Sequence, residues 1–389
     1  MLSDLAFSLA EKGVRVEVVS SAKSYQGRGR QKSSKELING VVVHRLWSPP
    51  VRGTGVLSRA AEYTFFYILS FFKLLFLVRR GDVVVAMTDP PVINIPIWFV
   101  AWIKGGEVVN WLHDIFPEVA AELGFNAAKG IIGNSLLKIR DFALRHSRAT
   151  VVIGERMRER LRIRGIPDSR MHVISNWADG ISNSPDPDSV DSLRRSWVGE
   201  GKFVIGYSGN LGRAHTFESV LEAAKQLSAH SDIVFLWVGG GVNYEVLRRR
   251  VKASGLQNFV FKPYQHRDRL TVALRVPDLH LISLNPRLEG LIVPSKFYGI
   301  AAAGKASIFV GDPDGEIGRV IVQNNCGIAV RDGDPGALVT AILGLKSDPA
   351  AVMQMGGNAQ ALYFERFTRE VSTRHWYSVL CPDSCLKAK

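Results

Sequence analysis

Cysteine is scarce: Cys326, Cys381 and Cys385 are the three among 389 residues. That excludes a disulfide framework and fits a reducing cytoplasm, and the C-x-x-x-C tail has too few partners for structural zinc. No zinc-finger spacing, recognition-helix pattern or interleaved aromatic and basic RNA signature is evident. The formal charge of +13 therefore points away from nucleic acid and towards an anionic membrane surface or sugar-nucleotide phosphates. A long apolar run is lacking too: residues 63–78 would cover about 24 Å as a helix against a ~30 Å hydrocarbon core, with Lys73 interrupting them.

What is present is a globular composition, 46% hydrophobic and 22% charged, over a length that suggests two domains. Leu2, Leu5, Ala6 and Leu9 share one helical face, and Gly13 ends that helix ahead of a strand at Val14–Val19. A doubly wound domain ordinarily opens with strand and glycine-rich loop, so its first strand is expected to be missing. Strands are expected at Val41–Leu46, Asp82–Met87, Glu107–Leu112, Ala149–Ile153 and His172–Ile174. Turn formers at residues 181–189 mark a boundary. A second series follows at Phe203–Tyr207, Ile233–Val238, Phe259–Phe261, Leu279–Leu284, Ser307–Val310 and Gly327–Val330. The fold class is α/β, two Rossmann-like domains with a central cleft at the strand carboxyl ends. The aromatic segment 63–78, closed by Arg79 and Arg80 and followed by Trp98 and Trp102, suits a helix lying in the interface of an anionic bilayer.

Three segments carry candidate chemistry. In Glu289–Lys305, Pro294 can open a helix, leaving N–H groups near Ser295 free to face an anion, and Lys296 adds a full positive charge. In Gly206–His215, glycines such as Gly209 allow close backbone approach to a pyrophosphate, and Arg213, with Lys296 as its partner, complements its charge. His113 and Asp114 follow a strand and would face the cleft.

Those segments, in this order and spacing, resemble the retaining glycosyltransferases of family four with the GT-B fold. The wording Val293-Pro-Ser-Lys with Ala302-Ala-Gly-Lys305 is similar to enzymes of bacterial surface polysaccharides such as colanic acid, O-antigen and capsule. The resemblance implies an N-terminal acceptor domain (1–178) and a C-terminal donor domain (179–364), with the final stretch, 365–389, packing back onto the first. It implies a nucleotide-diphosphate sugar donor, a polyprenyl-linked acceptor, retention of configuration, no cofactor and no metal, at the inner face of the plasma membrane. It casts His113, Asp114 and Glu289 as catalytic and Gly209, Arg213, Ser295 and Lys296 as diphosphate ligands. Gly240, Pro263 and Tyr264 would meet the nucleotide. One departure stands out: the family's ribose-gripping acid falls on Gly299, and Glu316 is the substitute acid expected here. A catalytically degenerate member, acting as a membrane-bound partner in polysaccharide assembly, is the alternative.

Overall fold

The computed structural model describes residues 1–22, 33–47, 56–125, 130–178 and 186–381, with backbone alone at 56–60. The C-terminal half of the first expected boundary segment and the helix it leads into, Pro187–Val198, are described; residues 179–185 lie outside that set. So does Cys385.

The strands are β1 (Glu17–Ser21), β2 (Lys35–Ile38), β3 (Val41–Leu46), β4 (Val83–Met87), β5 (Glu107–Leu112), β6 (Ala149–Val152) and β7 (Met171–Val173), then β8 (Phe203–Asn210), β9 (Ile233–Gly240), β10 (Phe259–Lys262), β11 (Leu279–Ser283), β12 (Ala306–Gly311) and β13 (Gly327–Arg331). The later six form one parallel sheet, order β10-β9-β8-β11-β12-β13. Its central strands read Ile-Val-Phe-Leu-Trp-Val and Leu-His-Leu-Ile-Ser, buried throughout, because helices cover both faces.

The first domain differs from a single parallel sheet. It holds a four-stranded parallel sheet, β4-β5-β6-β7, and a separate three-stranded one, β1-β3-β2, in which β2 runs antiparallel to β3. Among the described residues no strand pairs β1 with β4. The expected strand at Val14 starts later, at Glu17, because Gly13 (φ +81) turns the chain after the opening helix Leu2–Glu11. The apolar helix is Val56–Leu77, beginning seven residues ahead of the expected stretch and followed by a second apolar helix, Asn94–Lys104.

One core runs through both domains. Trp111 on β5, Trp177 and Trp376 lie together, with ring centroids 5.8 and 4.7 Å from Trp111. Trp376 belongs to the last helix, Arg369–Leu380, capped by the Thr368 hydroxyl, so that helix closes on the first domain and touches the opening one. Leu288, Leu291, Phe297 and Tyr298 join the same cluster from the second domain. The segment after β5 thereby meets the segment after β11, where Asp114 bridges to Ile292.

Candidate donor site and interdomain cleft

β8 leads into the turn Leu211–His215, and β9 ends in Gly239 and Gly240, with Gly241 capping the helix that follows. A Cβ on Gly239 (φ +141) would meet the Gly209 carbonyl oxygen at 2.1 Å, so the two strand ends nest only because glycine stands there. Gly209 itself (φ +121) leaves a gap filled by Lys296, whose Cε would lie 3.2 Å from an added Cβ.

Lys296 opens a helix of seven residues, Lys296–Ala302. Its Nζ lies 2.8 Å from His215 Nε2, and His215 Nδ1 lies 2.6 Å from the Ser283 carbonyl oxygen. A carbonyl only accepts, so Nδ1 carries the proton and donates to it, leaving the Nε2 lone pair to accept from the ammonium. Burial lowers Lys296 to about 8, and burial followed by the Lys296 charge lowers His215 to about 4. At neutral pH the pair is a charged lysine held by a neutral histidine. The Tyr207 ring centroid lies 5.1 Å from Nζ.

Other expected diphosphate ligands fall differently. Pro294 lies two residues ahead of the helix rather than within its first turn, and Ser295 is the exposed N-cap residue with no capping hydrogen bond from its side chain. Arg213 is not the partner of Lys296: it is exposed, and its guanidinium sits 5.6 Å from the centroid of Phe125 on the first domain. The histidine two residues later reaches Lys296 instead, because the turn at Gly212 directs His215 inward over Ser283.

The acids are also redistributed. Glu289 Oε1 accepts from the backbone N–H of Gly290 (3.2 Å) and of Glu316 (2.8 Å), the latter opening the helix Glu316–Gln323. Glu316 does not join Gly240 and Tyr264, the residues expected to meet a nucleotide. Its Oε2 accepts from the Arg156 N–H (2.9 Å) in the first turn of Glu155–Ile163, on the opposite domain. Each carboxylate thus complements a helix N-terminus. Gly154 and Gly315 make room: a Cβ there would lie 2.8 Å from Glu316 Oε2 and 2.4 Å from Glu289 Oε2. Burial raises both carboxyl pKa values, against the backbone hydrogen bonds that lower them. Further links cross the cleft, from Arg160 Nη2 to the Glu289 carbonyl (3.0 Å) and from the Ile115 N–H to the Leu291 carbonyl (2.9 Å).

At the carboxyl end of β9, a Cβ on Gly240 would lie 2.9 Å from the Tyr264 ring, so that ring covers the strand end while Pro263 beside it is exposed. Gly299 sits in the helix after Lys296, where an added Cβ would meet only Leu274 Cδ1 at 3.8 Å. The position has space for a side chain.

On the acceptor side, the His113 N–H donates to Thr88 Oγ1 (3.2 Å) and its ring packs 4.8 Å from Trp111. Burial lowers His113 to about 4, and its Nε2 has no partner among the described residues. Asp114 keeps contact with solvent, yet the enclosing walls, and then Asp89, raise it to about 6. A small cavity there is lined by Thr88, Val92, Asn94, Asp114 and Arg140, among others. Among the described residues no group of three or more His, Cys, Asp and Glu side chains is placed to hold a metal ion.

Two Rossmann-like domains facing across a cleft, with a glycine-nested lysine on the second, define the GT-B class of glycosyltransferase. The comparisons agree: residues 1–177 match the glycosyl transferase 4-like domain, and residues 190–362 match the glycosyl transferases group 1 family. The chain is 30% identical over 291 residues to the probable glycosyltransferase WbjE of Pseudomonas aeruginosa, covering 74% of this chain and 72% of that one. It is 27% identical over 300 residues to the putative colanic acid biosynthesis glycosyl transferase WcaI of Escherichia coli K12, covering 73% and 72%. Among solved structures, Anabaena Alr3699/HepE in complex with UDP and glucose superposes with a TM-score of 0.73 at 16% identity, over 98% of this chain and 95% of that one. The chain belongs to the group 1 glycosyltransferases and is a glycosyltransferase enzyme.

Proposed function

We propose that the protein transfers a sugar from a nucleotide-diphosphate donor to a polyprenyl-linked saccharide during synthesis of a bacterial surface polysaccharide. The observation carrying this is the Lys296 ammonium, aimed over the Gly209 turn by His215 with no carboxylate paired to it among the described residues. A half-buried cation with no anionic partner among the described residues suits a developing diphosphate, whose charge it would stabilise as the glycosidic bond breaks. Relatives support the reading: WcaI is described as a putative colanic acid biosynthesis glycosyl transferase, and HepE was solved in complex with UDP and glucose.

Gly209, Lys296 and the Ser295 turn hold the diphosphate, with Arg213 swinging to it from Phe125; Gly240, Pro263 and Tyr264 flank the nucleoside. His113 and Asp114 contact the acceptor side of the sugar, and Glu289 frames the turn that presents it. Retention and metal independence follow from the resemblance. The enzyme works peripherally on the inner face of the plasma membrane, bound through its apolar helix. Gly299, lacking the ribose acid, favours the second reading, a degenerate member within an assembly complex. Incubation with UDP- and GDP-sugars and a lipid-linked saccharide, with and without chelator, tests all of this. Transfer that survives chelation, with the donor's anomeric configuration kept in the product's NMR spectrum, is expected; nucleotide binding without any transfer would leave the degenerate member standing.

A further inference from the structure

The outer faces of three helices in the first domain, Val56–Leu77, Asn94–Lys104 and Gly130–His146, carry exposed apolar side chains in one connected surface. Phe76 is 84% exposed, Trp102 66% and Ile131 87%. Ring contacts join the helices: Phe71 stacks on Phe99 (6.3 Å), Phe99 meets Trp102 (6.1 Å), Trp102 stacks on Trp98 (6.4 Å) and Trp98 meets Phe142 (5.3 Å). Apolar surface of this extent, rimmed by polar groups, is an interaction site. Exposed Arg79 and Arg80 follow the first helix, Lys104 ends the second and exposed Lys138 lies on the third.

We infer that this three-helix face, and not the first helix alone, is the surface that lies on an anionic bilayer. Tryptophan and phenylalanine suit the headgroup boundary, and the cationic rim is attracted to anionic lipid. That rim, on a chain of formal charge +13, opposes docking of a second copy. Among the described residues no single helix is long and apolar enough to cross a membrane, so the face lies on the bilayer. A bent pair, Pro335–Ser347 with Pro349–Phe367, passes by length and composition; its Leu338, Ile342, Leu345 and Leu362 are buried in the second domain.

Two of these helices wall the cavity at Asp114, and the first is tied to the loop beside it. Asn94 and Arg140 line it from the second and third, and from the first the Tyr67 hydroxyl donates to the Pro91 carbonyl in the intervening loop. Resting on the reading of a lipid-linked acceptor, this gives the acceptor a path from the bilayer surface to the cleft along a single domain.

Vesicle co-sedimentation of the full chain tests the inference, using phosphatidylcholine alone or with about one-third phosphatidylglycerol. The variants pair Phe72→Asn with Phe76→Asn on the first helix, and Ile131→Asn with Ile132→Asn on the third. Each pair should lower partition onto anionic vesicles about tenfold or more, with UDP affinity by calorimetry unchanged as the sign of an intact fold. Wild-type partition by the third-helix pair, equal binding to uncharged vesicles, or a solution dimer that either pair dissolves would overturn it. Failure of UDP to bind the wild type would instead defeat the donor reading and leave this surface standing.

Discussion

The two domains use the same layered architecture and finish their outer faces differently. In the second, aromatic side chains turn inward: Tyr207 stacks on Trp237 at 4.3 Å, and Phe235 on Phe259 at 5.2 Å, within one unbroken six-stranded sheet. In the first, the sheet is divided and aromatic rings line up along helix exteriors. A helix apolar on both faces is either enclosed in a core or meets a second apolar phase, and these outer faces are exposed. On the functional reading proposed above, one domain is finished for water and a soluble nucleotide, the other for a bilayer surface.

The comparison breaks most visibly if the domains are uncoupled. Trp376 has no exposed surface and joins the last helix to Trp111, so Trp376→Ala should cost about 3–5 kcal/mol in urea unfolding. Unfolding that stays single and cooperative would show one core, whereas two separated transitions would show that the domains part first.

On the donor side, Lys296→Ala should weaken UDP or GDP binding by about 1.5–3 kcal/mol, the range for hydrogen bonds to charged groups. His215→Ala should cost about 0.5–1.5 kcal/mol, since it removes a neutral partner rather than the charge. Equal losses would mean that His215 touches the ligand directly.

Glu316→Ala removes the carboxylate from the helix start at Arg156 and should destabilise the protein by about 0.5–2 kcal/mol, as loss of a capping group does. An increase in radius of gyration in solution scattering would mark the first domain as held closed by this contact. No change in either quantity would deny Glu316 that role.

The smallest effect belongs to Gly299→Glu. Replacing a mid-helix glycine where the nearest atom lies 3.8 Å away should stabilise the fold by about 0.5–1 kcal/mol. Nucleotide affinity should also rise if the carboxylate reaches ribose hydroxyls. Lower stability would show that Leu274 does not leave the space it presents.

Much of this was legible in the chain. Alternating apolar runs located the six strands of the second sheet, because buried parallel strands read as continuous hydrophobic segments. β2 escaped, since Lys35, Glu36 and Leu37 are exposed and carry no periodic signal. The division of the first sheet was not readable from the pattern, which reports strands and not their neighbours. At the site, Gly209 and Lys296 were each singled out because glycine and a cation leave a local mark, but the partner expected for Lys296 was Arg213, and the side chain that reaches it is His215. That link spans 81 residues and leaves no such mark. Glu316 was recognised as a significant acid but assigned to the wrong wall: only the folded cleft brings the first turn of Glu155–Ile163 to it.

The central claim, that a half-buried lysine, charged at neutral pH, binds the diphosphate, is tested most directly by the pH dependence of UDP binding to the wild type and Lys296→Ala. Burial lowers Lys296 to about 8, so the ammonium is present below that pH and lost as pH rises through it. Full affinity at pH 7 should therefore decline above about 8, with weaker and flat binding by the alanine variant over the same range. A wild-type profile that stays level through pH 9.5, matched in strength by Lys296→Ala, would contradict the account.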